Sequence, residues 1–193
     1  CLAANRFSGG SSGYRRRAGC ACVIGIPAIE CLIAMTDASE QARIIEIHLD
    51  QKDQPRLSAE SEHERSIAIF DLIEENYFKL SSAAGPYILT LRMDARHIHF
   101  EVKDNASQLL ANFMLAMGPL RRVIRDYNMI CDSYYEAIRT KTPSQIQAID
   151  MGRRALHDEG SEILQTRLDG KIEMDKGTAR RLFSLVFVLK QGA

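Results

Sequence analysis

Asp150, Arg153, Arg154, His157 and Ser161 recur at i, i+3, i+4, i+7 and i+11, so in a helix they form a single polar line. Arg153 falls between Ile149 and Leu156 on one side and Ile146 and Leu164 on the other, which turns its guanidinium partly toward an apolar interior. A charge held there needs a carboxylate or an anionic ligand, because an unpaired buried charge is strongly destabilising. Two chemistries follow. Either Arg153 closes a structural salt bridge, with Asp126, Glu136 or Glu64 as its partner, or Asp150, Arg153 and Arg154 help to hold a ligand. In the second case His157 adds a proton-transfer or hydrogen-bonding group near neutral pH. His63 sits one turn before Ile67 on a face read as inward, where it caps or packs unless it faces His157 across the fold.

Other constellations read as structure. His97, His99 and Glu101 share one strand face at a spacing able to offer ligands to one metal, but nothing completes the four-ligand set that zinc prefers. That face is taken as a solvated hairpin face, and no metal is expected. Arg121, Arg122, Arg125, Arg139 and Lys141 form a basic series, yet Asp126 follows Arg122 by four residues and Glu136 precedes Arg139 by three, so pairing within the helix absorbs much of the charge. Stacking aromatics are not interleaved with these cations, so nucleic acid is not an expected partner. Cys131 lies in the apolar face of its helix, where a thiol packs as a small hydrophobe and no local base activates it. With no nucleotide loop, metal cage or nucleophile triad, no cofactor is expected.

The elements that must position these residues belong to one domain. A chain of 193 residues with 25 acidic and 25 basic side chains has a formal net charge of zero, and so carries no global attraction to nucleic acid or anionic lipid. No apolar run approaches the roughly 18 residues that a spanning helix requires, so no membrane partner is expected. Residues 1–34 look foreign to the rest: GGSSG from Gly9 to Gly13, then Arg15 to Arg17, then an apolar stretch from Cys20 to Ala34 broken by Pro27 and Glu30. This imitates a secretory signal, but Glu30 spoils the apolar core of one; the reading adopted is a disordered head ahead of a native start at Met35. Four of the five cysteines lie in that head, which leaves Cys131 alone in the body and points to a reducing, cytoplasmic location.

In the body, residues 44–49 read as a strand and residues 61–78 as a helix, opened by a Ser61/Glu64 capping box and marked by Ile67, Phe70, Ile73 and Tyr77. Alternation from Tyr87 to Met93 and from His97 to Val102 predicts a hairpin. Leu109 to Met117 supplies a third strand, with a short helix as the alternative. Pro119 opens a helix to residue 140 with Leu120, Val123, Ile124, Tyr127, Ile130, Cys131, Tyr134 and Ile138 on its apolar face. Thr142, Pro143 and Ser144 start the next, to residue 168, in which Gly152 and Gly160 predict close packing or a break. Residues 177–190 form a last helix behind Asp175, apolar on all sides from Leu182 to Leu189, with a strand as the alternative. Such an element is either deeply buried or paired with another copy.

The segments EHER (62–65), AIFDLIEEN (68–76), LRRVIRDY (120–127), SYYEAIRT (133–140), PSQIQAIDMGRRALHDEGS (143–161) and TARRLF (178–183) resemble a small bacterial family of uncharacterised proteins, UPF family 0262. The likeness runs over nearly everything from Met35 onward; the head and the linker from Gln51 to Ala59 depart from it. It implies a native start at Met35 and brings no activity and no binding residues.

The expected fold is therefore α+β: a small antiparallel sheet, a strand plus a hairpin or meander, packed against about four helices in a single domain over residues 35–193. The expected function is a non-catalytic cytoplasmic binding or regulatory protein, self-associating through its apolar C-terminal element. The alternative is an enzyme acting on a phosphorylated or carboxylated metabolite, with Arg153 holding the anion and His157 as acid or base.

Overall fold

The computed structural model describes residues 41–50 and 59–191, without the side chains at 59–61 and 64. The expectations placed on the head, on Met35 and on the Ser61/Glu64 capping box lie outside the described residues. Six strands and four helices are described: β1 Ile44–Asp50, α1 Ala59–Glu74, β2 Phe78–Leu80, β3 Tyr87–Met93, β4 His97–Lys103, β5 Leu109–Ala116, α2 Gly118–Thr140, α3 Pro143–Leu168, β6 Ile172–Met174 and α4 Lys176–Gln191.

The α+β expectation holds. Strands β3, β4 and β5 form the antiparallel meander that the alternation predicts, with Leu91 opposite Phe100 and Phe100 opposite Phe113. Strand β1 joins it on the far side of β3 and runs parallel to it, giving the order β1-β3-β4-β5. Parallel pairing needs a crossover, which the chain through α1 supplies. Asn76, just beyond α1, fixes the start of β1: its Oδ1 accepts from the Ile44 N–H at 2.7 Å and its Nδ2 donates to the Ile44 carbonyl at 3.0 Å. A separate two-stranded ribbon, β2 with β6, was not anticipated.

Period-two burial follows the sequence. Leu89, Leu91, Ile98, Phe100 and Val102 are fully buried on one face of the sheet, while His97, His99 and Glu101 stay half-exposed on the other. The helices start where their signals predict. Gln145 Oε1 accepts from the Thr142 N–H at 3.1 Å at the head of α3, and Asp175 Oδ1 accepts from the Thr178 N–H at 2.7 Å at the head of α4. No helix among the described residues is long and apolar enough to cross a membrane.

The reading of α1 needs correction. In α1 the inward side chains are Ala68 and Leu72, whereas Ile67 and Phe70 are 47% and 63% exposed. The helix also ends at Glu74, so Tyr77 is not part of its face. Six of the seven residues from Ile67 to Ile73 are apolar, so periodicity alone did not single out a face. The last helix is as expected: α4 is helical, and of the two readings of its all-round apolarity the deeply buried one describes it, with Leu182, Phe183 and Leu185 to Leu189 all buried and α4 packed on α1 and α3. Its all-round apolarity is consumed within the fold. The glycines of α3 mark close packing, and the helix runs through both: a Cβ on Gly160 would overlap the Phe183 ring, and one on Gly152 would lie 2.8 Å from Ile130 Cδ1.

Candidate functional site: a groove beside Arg153

Past Tyr127 the helix α2 becomes mostly half-buried or exposed, and the first half of α3 beside it does the same. Between this pair and α1, with α4 behind, lies an open groove of about 390 Å³. Ile67 and Asp71 line it from α1, Tyr127, Cys131 and Tyr134 from α2, Arg153 from α3, and Ser184 and Phe187 from α4.

Arg153 is the oriented cation of this groove. Its Nε and Nη2 donate to Asp150 Oδ1 at 3.1 and 2.7 Å, Nη1 reaches the Tyr127 hydroxyl at 3.5 Å, and the guanidinium lies 5.2 Å from the centre of the Tyr134 ring. Arg153 does pair with a carboxylate, but with Asp150 on its own helix; none of its described contacts goes to Asp126 or Glu136. Asp150 is shared, since its Oδ2 accepts from Arg154 Nε at 2.8 Å. Its hydrogen bonds to Arg153, and then to Arg154, hold the Asp150 carboxyl below its ordinary pKa. Burial works against the charge of Arg153, yet the bonds to Asp150 and Tyr127 outweigh it and raise its pKa further. A guanidinium has five N–H groups, and three are accounted for by these bonds. The remaining two have no protein acceptor among the described residues.

His157 lies on the same helical line but deeper, and is 8% exposed. Its ring meets Tyr127 and Phe183 edge-on, with centroids 5.4 and 5.2 Å apart. Nε2 lies 2.9 Å from Ser184 Oγ, which in turn donates to the Arg180 carbonyl at 3.3 Å. With the one hydroxyl proton so placed, the hydrogen-bond network assigns the Nε2–H tautomer, and His157 Nδ1 is a buried atom without a partner. Burial first, then repulsion from Arg180 and Arg153, pushes the His157 pKa down to about 4. Burial also raises Tyr127 to about 12, with Cys131 acting in the same direction and Arg153 opposing it.

The structure thus brings Asp150, Arg153 and Arg154 together and sets His157 behind the groove wall. Ser161 continues the line into the core, its hydroxyl bonded to the Asp158 carbonyl at 2.8 Å. Asp158 pairs with Arg180 and with Lys176. His63 is exposed on α1 rather than inward, and no described contact joins it to His157. His99 bonds Asp94 at 2.7 Å, and no metal-holding group of side chains occurs among the described residues. Three arginines of α2 are engaged, though not with the partners expected: Arg122 pairs with Glu159 at 2.7 Å, Arg125 with Asp126 at 3.1 Å, and Arg121 donates to the Ala95 carbonyl at 2.6 Å, while no described ion pair joins Arg139 to Glu136. Tyr134 and Ser184 were missed as groove residues. Signals existed: Tyr134 follows Tyr127 by seven residues on one helix face, and Ser184 is the lone hydroxyl between Leu182 and Leu189.

The family described as "Uncharacterised protein family (UPF0262)" matches residues 41–192, which takes in the sheet, all four helices and the groove. The chain belongs to this family. Among its UPF0262 relatives, the protein from Brucella anthropi is 53% identical over 157 residues, covering 80% of this chain and 98% of the relative. Those from Methylobacterium radiotolerans and Hyphomonas neptunium are each 49% identical, over 76% and 78% of this chain and 92% and 93% of their own lengths. No solved structure matches the chain. The UPF0262 name carries no chemistry.

Proposed function

We propose that this is a cytoplasmic, non-catalytic binding or regulatory protein whose ligand site is the groove beside Arg153. The ligand class is an apolar or aromatic body carrying a carboxylate or phosphate. The observation that carries this reading is the posture of Arg153: held by Asp150, stacked near Tyr134, lining a groove of mixed polarity, and left with two unclaimed N–H groups. A guanidinium fixed in this way loses little freedom when an anion arrives, which favours bidentate recognition. The walls of Ile67, Tyr127 and Phe187 would take the apolar body. Cys131 as the single cysteine of the described residues accords with a reducing compartment.

An enzymatic reading draws on one observation, the His157–Ser184 bond at the groove wall. The assigned tautomer weakens it, because Nε2 donates to Ser184 and so does not stand as the base that would take its proton. A pKa near 4 also makes His157 a poor base at neutral pH.

Thermal melts with phenylacetate, phenyl phosphate and the neutral phenylacetamide test the proposal. Both anions should raise the melting midpoint of the wild type and the amide should not, with the shift lost in Arg153→Met. A wild type indifferent to both anions, or an Arg153→Met variant that keeps the full shift, would overturn it.

A further inference from the structure

The outward face of α1 and a basic cleft elsewhere on the same molecule have complementary chemistry. On α1, His63, Ile67, Phe70 and Glu74 follow one another at i, i+4, i+7 and i+11, the anchor spacing of a helix that lies in a groove. Phe70 is 63% exposed, an unusual place for so large an apolar side chain flanked by another exposed one, Ile67. The acidic residues beside them, Asp71 and Glu74, make no ion pair among the described residues, whereas the neighbouring Glu75 is taken by Arg181.

The cleft, of about 460 Å³, is the converse. Its floor is apolar, with Met117, Ile124 and Phe187, and its rim is cationic, with Arg121, Arg125 and Lys190. Met129 on its lip is 58% exposed. Of the three cations only Arg125 meets a carboxylate among the described residues; Arg121 is bonded to a carbonyl and Lys190 has no described ion pair. Asn128, Phe187 and Gln191 line both this cleft and the groove that α1 borders, so helix and cleft belong to one continuous surface.

We infer that this surface is a self-complementary interface, in which the Phe70 face of α1 from each copy docks in the basic cleft of a second copy. A two-fold arrangement uses both pairs at once, because a contact of residue i with residue j is repeated as j with i. A second copy is the favoured occupant because two opposite charge sets lie on the same chain, with Asp71 and Glu74 on one side and Lys190 on the other making no ion pair among the described residues. The zero net charge also leaves no long-range repulsion between copies. The inference does not rest on what the Arg153 groove binds, although Ile67 belongs to both the docking face and the groove wall, and Asn128, Phe187 and Gln191 border both groove and cleft.

Sedimentation velocity of the full chain over a concentration series tests it, with circular dichroism to confirm folding of each variant. The wild type should form dimers. Phe70→Asp, at an exposed position, should be folded and monomeric. Glu74→Lys and Lys190→Glu, each counted twice per dimer, should each raise the dimer Kd about tenfold, and an equimolar mixture of the two should restore it, since every contact then again joins opposite charges. A wild type that stays monomeric at the highest concentration attainable would overturn self-association, leaving the face to a different partner. A dimer untouched by Phe70→Asp would place self-association on another surface. Monomeric Phe70→Asp with no rescue in the mixture would remove the basic cleft as its seat.

Discussion

Replacing Gly160 by Ala should destabilise the protein by about 2 kcal/mol, although Gly to Ala inside a helix ordinarily stabilises by about 1 kcal/mol. The opposing term is overpacking. The new methyl would overlap the ring of Phe183, which is fully buried and held edge-on by Tyr127 at 5.8 Å and His157 at 5.2 Å, so the ring has nowhere to withdraw. Overpacking of this kind costs about 1–3 kcal/mol, and a wedged aromatic belongs at the upper end, so the propensity gain is more than cancelled. Gly152 provides the contrast on the same helix. There the added methyl meets only Ile130 Cδ1, at 2.8 Å, the end of a half-buried side chain that can rotate away. Gly152→Ala should therefore be neutral or stabilising by up to about 1 kcal/mol. Urea titrations of the three proteins at neutral pH separate the cases by their midpoints. A Gly160→Ala variant as stable as the wild type, or shifts of the same sign and size at both glycines, would refute the reasoning.

His157 makes stability pH-dependent in a defined window. Its pKa falls from 6.5 to about 4 in the folded protein, so between these values the unfolded chain binds the extra proton. Its contribution should be complete above pH 6.5 and lost, by roughly 2–3 kcal/mol, as pH falls toward 4. His157→Gln, which keeps a partner for Ser184, should flatten that slope in denaturant titrations from pH 4 to 7, and an unchanged slope would assign it to other groups. Phe187→Asp should unfold the protein, since this ring is 8% exposed and 4.8 Å from that of Tyr127; a folded variant by circular dichroism would contradict that placement. Arg153→Met should lower stability by only about 1 kcal/mol, because an intrahelical pair and a part-exposed aromatic contact are modest terms and Asp150 retains Arg154. A loss of several kcal/mol in the same titration would indicate a buried structural charge instead.

Much of the fold was legible because its signals are local. Alternation through Leu89, Leu91, Ile98 and Phe100 marks a hairpin, and Pro119, Thr142 and Asp175 mark helix starts, without knowledge of the rest of the chain. The ribbon of β2 and β6 was not, because three residues hold no period and the pairing of Phe78 with Met174 spans most of the body. The parallel seat of β1 depends on the path through α1 in the same way. For the site, the polar line of α3 was readable as an angle on a helix, but burial along it depends on what lies opposite. Its first half, with Asp150 to Arg154, borders the open groove, while its second half, with His157 and Ser161, runs under α4 and is buried. Arg153 found its carboxylate three residues back rather than on another element, since i, i+3 neighbours are already within reach before any tertiary contact forms.

The central claim, that Arg153 stands ready for an anion in a groove with apolar walls at Ile67, Tyr127 and Phe187, is tested most directly by a ¹H–¹⁵N NMR titration of the wild-type protein with phenylacetate. Saturable shifts should appear at the backbone amides of Tyr127, Cys131, Arg153 and Ser184 and at the side-chain Nε–H of Arg153, and phenylacetamide should leave them in place. Shifts confined to other surfaces, or equal responses to the acid and its amide, would contradict the account.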